Sequence, residues 1–461
     1  MKNKWIEPAK TAALVFLVVI SFVQTGFLWF SSAPTRTMDP FETGTMPPYI
    51  FNDGNYNRKL PWQLASPYQL IVHKNGTHFR LHPESDAYQS LTSFLRTASL
   101  EDIRSISKPN AEAWKKLFFQ TTGVELVYPR DLPVSELDAF FLETIRHNQE
   151  VRRLTTVSRV WFFEDPAAGK TFIWFVSDSR QLIVQAEVEL KDKSLSAEVA
   201  KASGIPLAAV QTGEHPPWDP AADKQPFSRV LYLPEKEIPV PRLVFPLSAI
   251  RIDDMKSWLF TGHDEEPINL KPGEHVYISN EKMLTWNENG RFITYHDTSV
   301  RPDHASTTSA SGDLDTINGF IQRHRGWTGN WLLDETEPTE SRITEYRFRL
   351  FVRGFPVYWD APGTDGITPD VMLLSAGSGE VGRYSRSLLY LRDNPQESES
   401  RLPGKQEILN RLSSEKVPLS SILQILPAYF AKPSSDGKRV TLEPTWVVFT
   451  EHREPLFITS R

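Results

Sequence analysis

Residues 11–30, TAALVFLVVISFVQTGFLWF, form a run of twenty positions without one Asp, Glu, Lys or Arg. At about 1.5 Å rise per residue such a helix reaches roughly 30 Å, the hydrocarbon thickness of a bilayer, so one transmembrane helix is expected. Lys2, Lys4 and Lys10 precede the run against a lone Glu7, whereas Arg36 is the sole basic residue of 31–50. This bias places residues 1–10 in the cytoplasm and the remaining bulk outside the cell. Trp5 and Trp29 stand where interfacial aromatics anchor a span. A cleaved signal peptide is the competing reading, but the run exceeds an ordinary h-region and Ser31-Ser32-Ala33 leads straight into Pro34.

Ser21, Gln24 and Thr25 recur at i, i+3 and i+4, and Leu14, Leu17 and Leu28 extend the same stripe. A glutamine amide facing lipid is costly, whereas across a helix interface its hydrogen bond contributes about 0.6–2 kcal/mol. The stripe is therefore expected to pack against another membrane helix. The alternative is that Gln24 snorkels to the outer headgroups.

The 461 residues give ample length for two or three domains outside the membrane, and 40% hydrophobic with 23% charged residues supports folded cores. Removing three lysines and one glutamate with the tail takes the net charge from −6 to −8 outside. An acidic exterior argues against nucleic acid as a partner. The absence of cysteine rules out disulfides, thiolate metal sites and lipoprotein anchoring.

Residues 31–60 are rich in Pro, Ser, Thr, Asn and Gly and read as a juxtamembrane linker. Asn75-Gly76, between Gln69–His73 and Thr77–His82, is a strong hairpin signal. Helices are expected at 85–97, at 111–120 behind an Asn110 cap, from Ser135 through His147, and at 194–203. A strand is expected at Val124–Tyr128, and VSRVWFFED, TFIWFVSD and QLIVQAEVEL alternate as three more. With a Pro-rich segment reaching Pro246, they make 61–246 an α/β domain.

A helix at 248–261 followed by VYISN, KMLTWNENGR and FITYHD makes 247–311 a small helix-plus-meander domain. A helix at 313–325, strands at 340–352, 355–359, 369–374 and 381–392, a helix at 405–413 and a final strand pair make 312–461 an α+β domain. The fold class expected is thus α+β: a membrane helix, then mixed α/β and antiparallel β domains with covering helices.

Catalytic signals are weak. Gly377-Ser378-Gly379-Glu380-Val381-Gly382 matches G-x-G-x-x-G, yet Arg383–Leu391 alternates like a strand where a dinucleotide site needs a helix, so a hairpin turn is expected. Ser413-Ser414-Glu415-Lys416 has the S-x-x-K spacing of penicillin-binding serine enzymes without their S-D-N and K-T-G partners. His263-Asp264-Glu265-Glu266 with Glu274-His275 offers metal-binding side chains without metal-site spacing, and reads as a solvated loop. No catalytic, cofactor-binding or metal-ligating residue is assigned.

The basic tail and helix KTAALVFLVVISFVQTGFLWF, the central SAIRIDDMKSWLF, and the C-terminal GRYSRSLLYL with LEPTWVVFT resemble the YycH (WalH) family. The last third, ending in the L-x-P-x-W strand of Leu442, Pro444 and Trp446, is also similar to the related YycI proteins. The resemblance implies a non-catalytic, membrane-anchored accessory protein that acts with YycI on the YycG (WalK) sensor histidine kinase, whose two-component system governs cell-wall metabolism. The competing readings are an extracytoplasmic ligand-binding or scaffold protein anchored by its helix, and a cell-wall enzyme. The enzyme would need a cleft of convergent titratable groups.

Overall fold

Asn75 and Gly76 adopt φ of +47° and +80°, the left-handed pair of a two-residue hairpin, and fold β1 (Gln69–Lys74) onto β2 (Thr77–Leu81) with Lys74 opposite Thr77. The computed structural model describes residues 59–459 except 142–144, 146–147, 191–193, 222–228, 261–266, 301–309, 325, 339–342, 361–366, 378 and 452. The expected transmembrane helix and its stripe lie outside the described residues, as does His263–Glu266. Among the described residues no helix is long and apolar enough to cross a membrane.

The hairpin sits within a nine-stranded sheet completed by β3 (Ser99–Ile106), β4 (Thr122–Val127), β5 (Arg159–Asp165), β6 (Lys170–Ser177), β7 (Leu182–Glu189), β8 (Ile205–Gln211) and β9 (Val230–Leu233). Its order is β9-β8-β2-β1-β4-β5-β6-β7-β3, antiparallel throughout. Most positions of β1, β4, β5 and β6 are buried because helices cover both faces there, whereas β3 and β8 are largely exposed or half-buried. Helices α1 (Pro61–Leu64), α2 (Asp86–Leu95), α3 (Ala111–Phe119), α4 (Val134–Phe141), α5 (Gln149–Arg152) and α6 (Leu195–Lys201) accompany this sheet.

The period of two sorts the side chains. Leu70, Val72, Val160, Phe162, Ile173 and Phe175 share a core with α2, α4 and α6, while Ile71, Trp161, Phe163, Trp174 and Val176 meet Trp114, Leu117 and Phe118 of α3. The Asn110 cap is present, its Oδ1 accepting from the Ala113 amide at 2.9 Å. Ser194 caps α6 in the same way.

A second, larger sheet takes β10 (Arg242–Ala249), the meander β11 (Ile268–Lys271), β12 (Glu274–Ser279), β13 (Lys282–Asn287) and β14 (Phe292–Asp297), then β15 (Asn330–Pro338), β16 (Thr344–Val352), β17 (Phe355–Trp359), β18 (Val371–Gly377), β19 (Glu380–Ser387), β20 (Leu389–Leu391), β21 (Gln396–Ser398), β22 (Ile422–Pro433), β23 (Arg439–Thr450) and β24 (Arg453–Thr459). Its main order is β11-β12-β13-β14-β19-β18-β16-β17-β22-β23-β10-β20, with β15 on β16, β21 on β10 and β24 on β23. The meander runs into the sheet through Phe292 opposite Ser387. Only β17 against β22 is parallel among these described pairs. Helices α7 (Ile252–Leu259), α8 (Ala310–Arg323) and α9 (Lys405–Ser414) bury Met255, Leu259, Leu314, Ile317, Ile321, Ile408 and Leu412 in one core with it.

Several elements depart from the sequence reading. The Pro-rich approach to Pro246 contains β9 and β10, and the helix expected from 248 begins at Ile252 because Ser248 and Ala249 still pair with β20. Pro246 fits its strand because it pairs with Arg439 on one side and falls between β21 and β20 on the other. The strand β22 carries two prolines, which hid it. The parallel ladder to β17 starts at Tyr429, beyond Pro427, so the missing donor is not needed there. The G-x-G-x-x-G run joins β18 to β19 as a hairpin, with Gly377 opposite Glu380 and Gly379 at φ +80°, as its alternation implied.

Candidate functional site between the two sheets

The register of the nine-stranded sheet gathers a polar row on the face that α3 covers. Arg80 lies opposite Ile71, Ile71 opposite Glu125, and Glu125 opposite Trp161. One pleat along, His78 lies opposite His73. Buried polar groups in such a row need partners, and the two histidines find one in each other. His73 Nδ1 meets His78 Nδ1 at 2.9 Å, and His73 Nε2 faces Glu125 Oε2 at 3.6 Å. A His73 that presents Nε2–H to the carboxylate leaves its Nδ1 to accept from His78. The His73 ring stacks on Trp161 at 4.5 Å, with Phe118 and Tyr232 edge-on.

Burial, then the neighbouring His73 ring, bring His78 down from 6.5 to about 4, so it is neutral at pH 7. The unfolded chain takes up that proton first. The contribution of the pair is thus complete above pH 6.5 and lost as pH falls toward 4. A His78→Asn variant, which keeps a side-chain hydrogen bond and removes the titration, is expected to lose stability less steeply over that window. Superimposable acid-unfolding profiles would exclude this account.

Beside the row the two sheets enclose a cleft of about 470 Å³. The first sheet contributes Gln69, Arg80, Glu125, Arg159, Asp178 and Tyr232, and the second closes it with Leu423–Ile425, Phe449–Glu451 and Pro455. Two bonds cross between the walls: Gln424 Nε2 donates to the Tyr128 carbonyl at 2.8 Å and Arg229 Nη1 to the Leu423 carbonyl at 3.1 Å. Asp178 holds Arg159 at 2.7 Å and Arg229 at 3.2 Å. Arg80 is different. It is 1% exposed, its Nη2 reaches the Tyr232 carbonyl at 3.3 Å, and its guanidinium lies 5.2 Å from the ring centre of Trp446 on β23. Burial alone lowers it to about 9.

The junction of α1, α4 and α8 is another contact that joins the sheets. Leu64, Ala65 and Ala139 enter the core that holds Leu314 and Ile317. Glu136 is buried there, close to Asp138 and to Asp313, which accepts from the Tyr346 hydroxyl at 2.9 Å. Burial, then the charges of Asp313 and Asp138, raise Glu136 from 4.5 to about 8. At the same junction Lys59 Nζ bonds Asn330 Oδ1 at 2.9 Å and the Trp331 carbonyl at 2.8 Å, and the Asn318 amide holds the Lys59 carbonyl. Burial lowers this amine to about 7 against the pull of Glu84.

Among the described residues, none of the catalytic-looking motifs lines the cleft. Glu274 and His275 sit on β12, where His275 bonds Asn269 at 2.6 Å and stacks on Trp286. Ser413 and Lys416 mark the end of α9, Lys416 at φ +56°. The cleft residues were not singled out from sequence, although alternation through the first hairpin put Gln69 with His73 and His78 with Arg80 on shared faces. What sequence could not supply is where α3 packs: it lies over that face and turns it from solvent to interior.

Two family models match the chain: YycH protein, N-terminal domain, over residues 7–203, and YycH protein, C-terminal domain, over 228–455. Among solved structures, a crystal structure of YycH from Bacillus subtilis superposes with a TM-score of 0.64 at 17% identity, covering 88% of this chain and 98% of that one. This likeness shows the shared fold. An uncharacterized protein from Eubacterium rectale (TM-score 0.30, 10% identity, 48% of this chain and 82% of that one) and the Bacillus megaterium YpeB C-terminal domain (0.23, 13%, 46% and 93%) carry no argument at those scores. No curated protein matches significantly in sequence.

Proposed function

Because this chain belongs to the YycH family, we propose that it is a non-catalytic, membrane-anchored regulator of a YycG (WalK) sensor histidine kinase, acting with YycI through membrane and extracytoplasmic contacts. The observation that carries this reading is the pair of family matches, which begins at residue 7 and so takes in the apolar run 11–30. The N-terminus is cytoplasmic and the sheets are outside the cell.

A regulator shifts a kinase between signalling states only by binding them with different affinity. A tenfold shift takes about 1.4 kcal/mol, within reach of one or two interhelical contacts from Leu14, Leu17, Ser21, Gln24, Thr25 and Leu28. Lys59 gives the exported sheets a purchase on the segment that leads back to that helix, since its bonds to Asn318, Asn330 and Trp331 tie the chain to α8 and β15.

The test is photo-cross-linking in intact cells from residue 24, and replacement of Ser21, Gln24 and Thr25 together by leucine. Cross-links to the kinase or to YycI, with a kinase-dependent transcriptional output changed severalfold by the triple variant, are expected. An unaltered output with no cross-link to either protein would sink the reading. The cleft favours a second reading, a ligand-binding or scaffold protein for which the helix is only an anchor. Exchange of 11–30 for an unrelated span separates the two: preserved output supports the second.

A further inference from the structure

We propose that the cleft between the two sheets binds a small carboxylate or phosphate anion and that Arg80 is the group that selects it. The proposal goes beyond kinase regulation and stands whether or not that coupling is found. Four arginines line the cleft, and three already have a carboxylate. Arg130 meets Glu335 at 2.5 Å, and Arg159 and Arg229 share Asp178. Their side chains are 52%, 12% and 26% exposed. Arg80, the most buried of the four, has no carboxylate partner among the described residues, and its Nε and Nη1 make no hydrogen bond.

The nearest acid along the sheet, Glu125, is two strands away across Ile71, roughly 10 Å by the spacing of neighbouring strands, and is turned to His73. The Trp446 ring offers a partial substitute for a counter-ion. A cation over an aromatic face gains far less than a buried guanidinium loses in hydration. An anion offering two oxygens would match the planar fork and supply the missing charge. The volume suits a ligand of metabolite size. Because Arg80 comes from β2 and Trp446 from β23, such a ligand would be held where the two sheets meet.

The experiment titrates the purified full chain with inorganic phosphate in one arm and with succinate and glutamate in the other, at constant ionic strength, by calorimetry and thermal unfolding. One arm is expected to bind with a sub-millimolar Kd and raise Tm, and the arm that does so identifies the anion. Arg80→Met should weaken it at least about tenfold while leaving the unliganded chain as stable as the parent or more so. Leu423→Trp keeps Arg80 and fills the cleft from the opposite wall, so it should abolish the same binding even if Arg80→Met folds poorly. Absence of binding in both arms up to about 10 mM, or unchanged affinity in Leu423→Trp, overturns the proposal.

Discussion

Replacing Arg349 by leucine is expected to destabilise the protein by about 3–5 kcal/mol, because it strands two carboxylates inside the larger sheet. Arg349 on β16 is 9% exposed and donates from Nε and Nη2 to Asp334 at 3.1 and 2.8 Å, and from Nη1 to Asp370 at 2.5 Å. The Tyr68 hydroxyl, arriving from the segment before β1, completes Asp334 at 2.9 Å. Burial opposes ionisation of Asp334, yet the Arg349 charge and these hydrogen bonds hold its carboxyl below the usual range. Without the arginine, burial acts on Asp334 unopposed, and Asp334 and Asp370 both lose the guanidinium that donates to them. The triple change Arg349→Leu, Asp334→Asn and Asp370→Asn should recover most of the loss, since it removes the orphaned charges with their partner. Denaturant midpoints at constant slope measure both effects. A single variant within about 1 kcal/mol of the parent would refute the account.

The second large effect is a dependence on alkaline pH centred on Glu136. Its folded-state value of about 8 stands above the 4.5 of the unfolded chain. The unfolded state thus releases this proton first, so the stability contributed by the protonated group is complete below pH 4.5 and is lost as pH rises toward 8. At 1.36 kcal/mol per unit the loss amounts to about 3–5 kcal/mol. The groups that face Glu136 act in the same sense: Asp313 and Asp138 both raise it, and only the Ser135 hydroxyl works the other way. Glu136→Gln cannot ionise and should gain on the parent steadily between pH 5 and 8. Parallel stability curves for the two proteins across that range would contradict it. Because Glu136 sits where α4 meets α8, alkaline pH is expected to loosen the contact between the two sheets before either sheet melts.

Local structure was legible wherever neighbours in sequence are neighbours in space. Asn75-Gly76, the Asn110 and Ser194 caps, and the alternation of Val160 to Phe163 each carry their own geometry, because turns, caps and the strand period depend on two to six consecutive residues. The strands that escaped, β3, β8, β9, β10, β11, β15, β21 and β22, are mostly the charged, short or proline-bearing ones. Their place is secured by a partner far away in sequence, such as Leu243 opposite Leu442 or Val357 beside Tyr429.

The same distinction governs the site. Sequence alone determined the apolar run 11–30, its charge bias, the absence of thiol chemistry and the family resemblance in Trp446 and its neighbours. It could not single out Arg80, because nothing local marks one arginine among many as unpaired. Only the tertiary structure decided that, by pairing β2 with β1, covering the face with α3, and bringing β23 over it so that, among the described residues, the Trp446 ring and no carboxylate meets the guanidinium. Hydration and charge pairing depend on everything within a few ångströms, and for this residue those neighbours lie some 150 to 370 positions along the chain, from Tyr232 to Trp446.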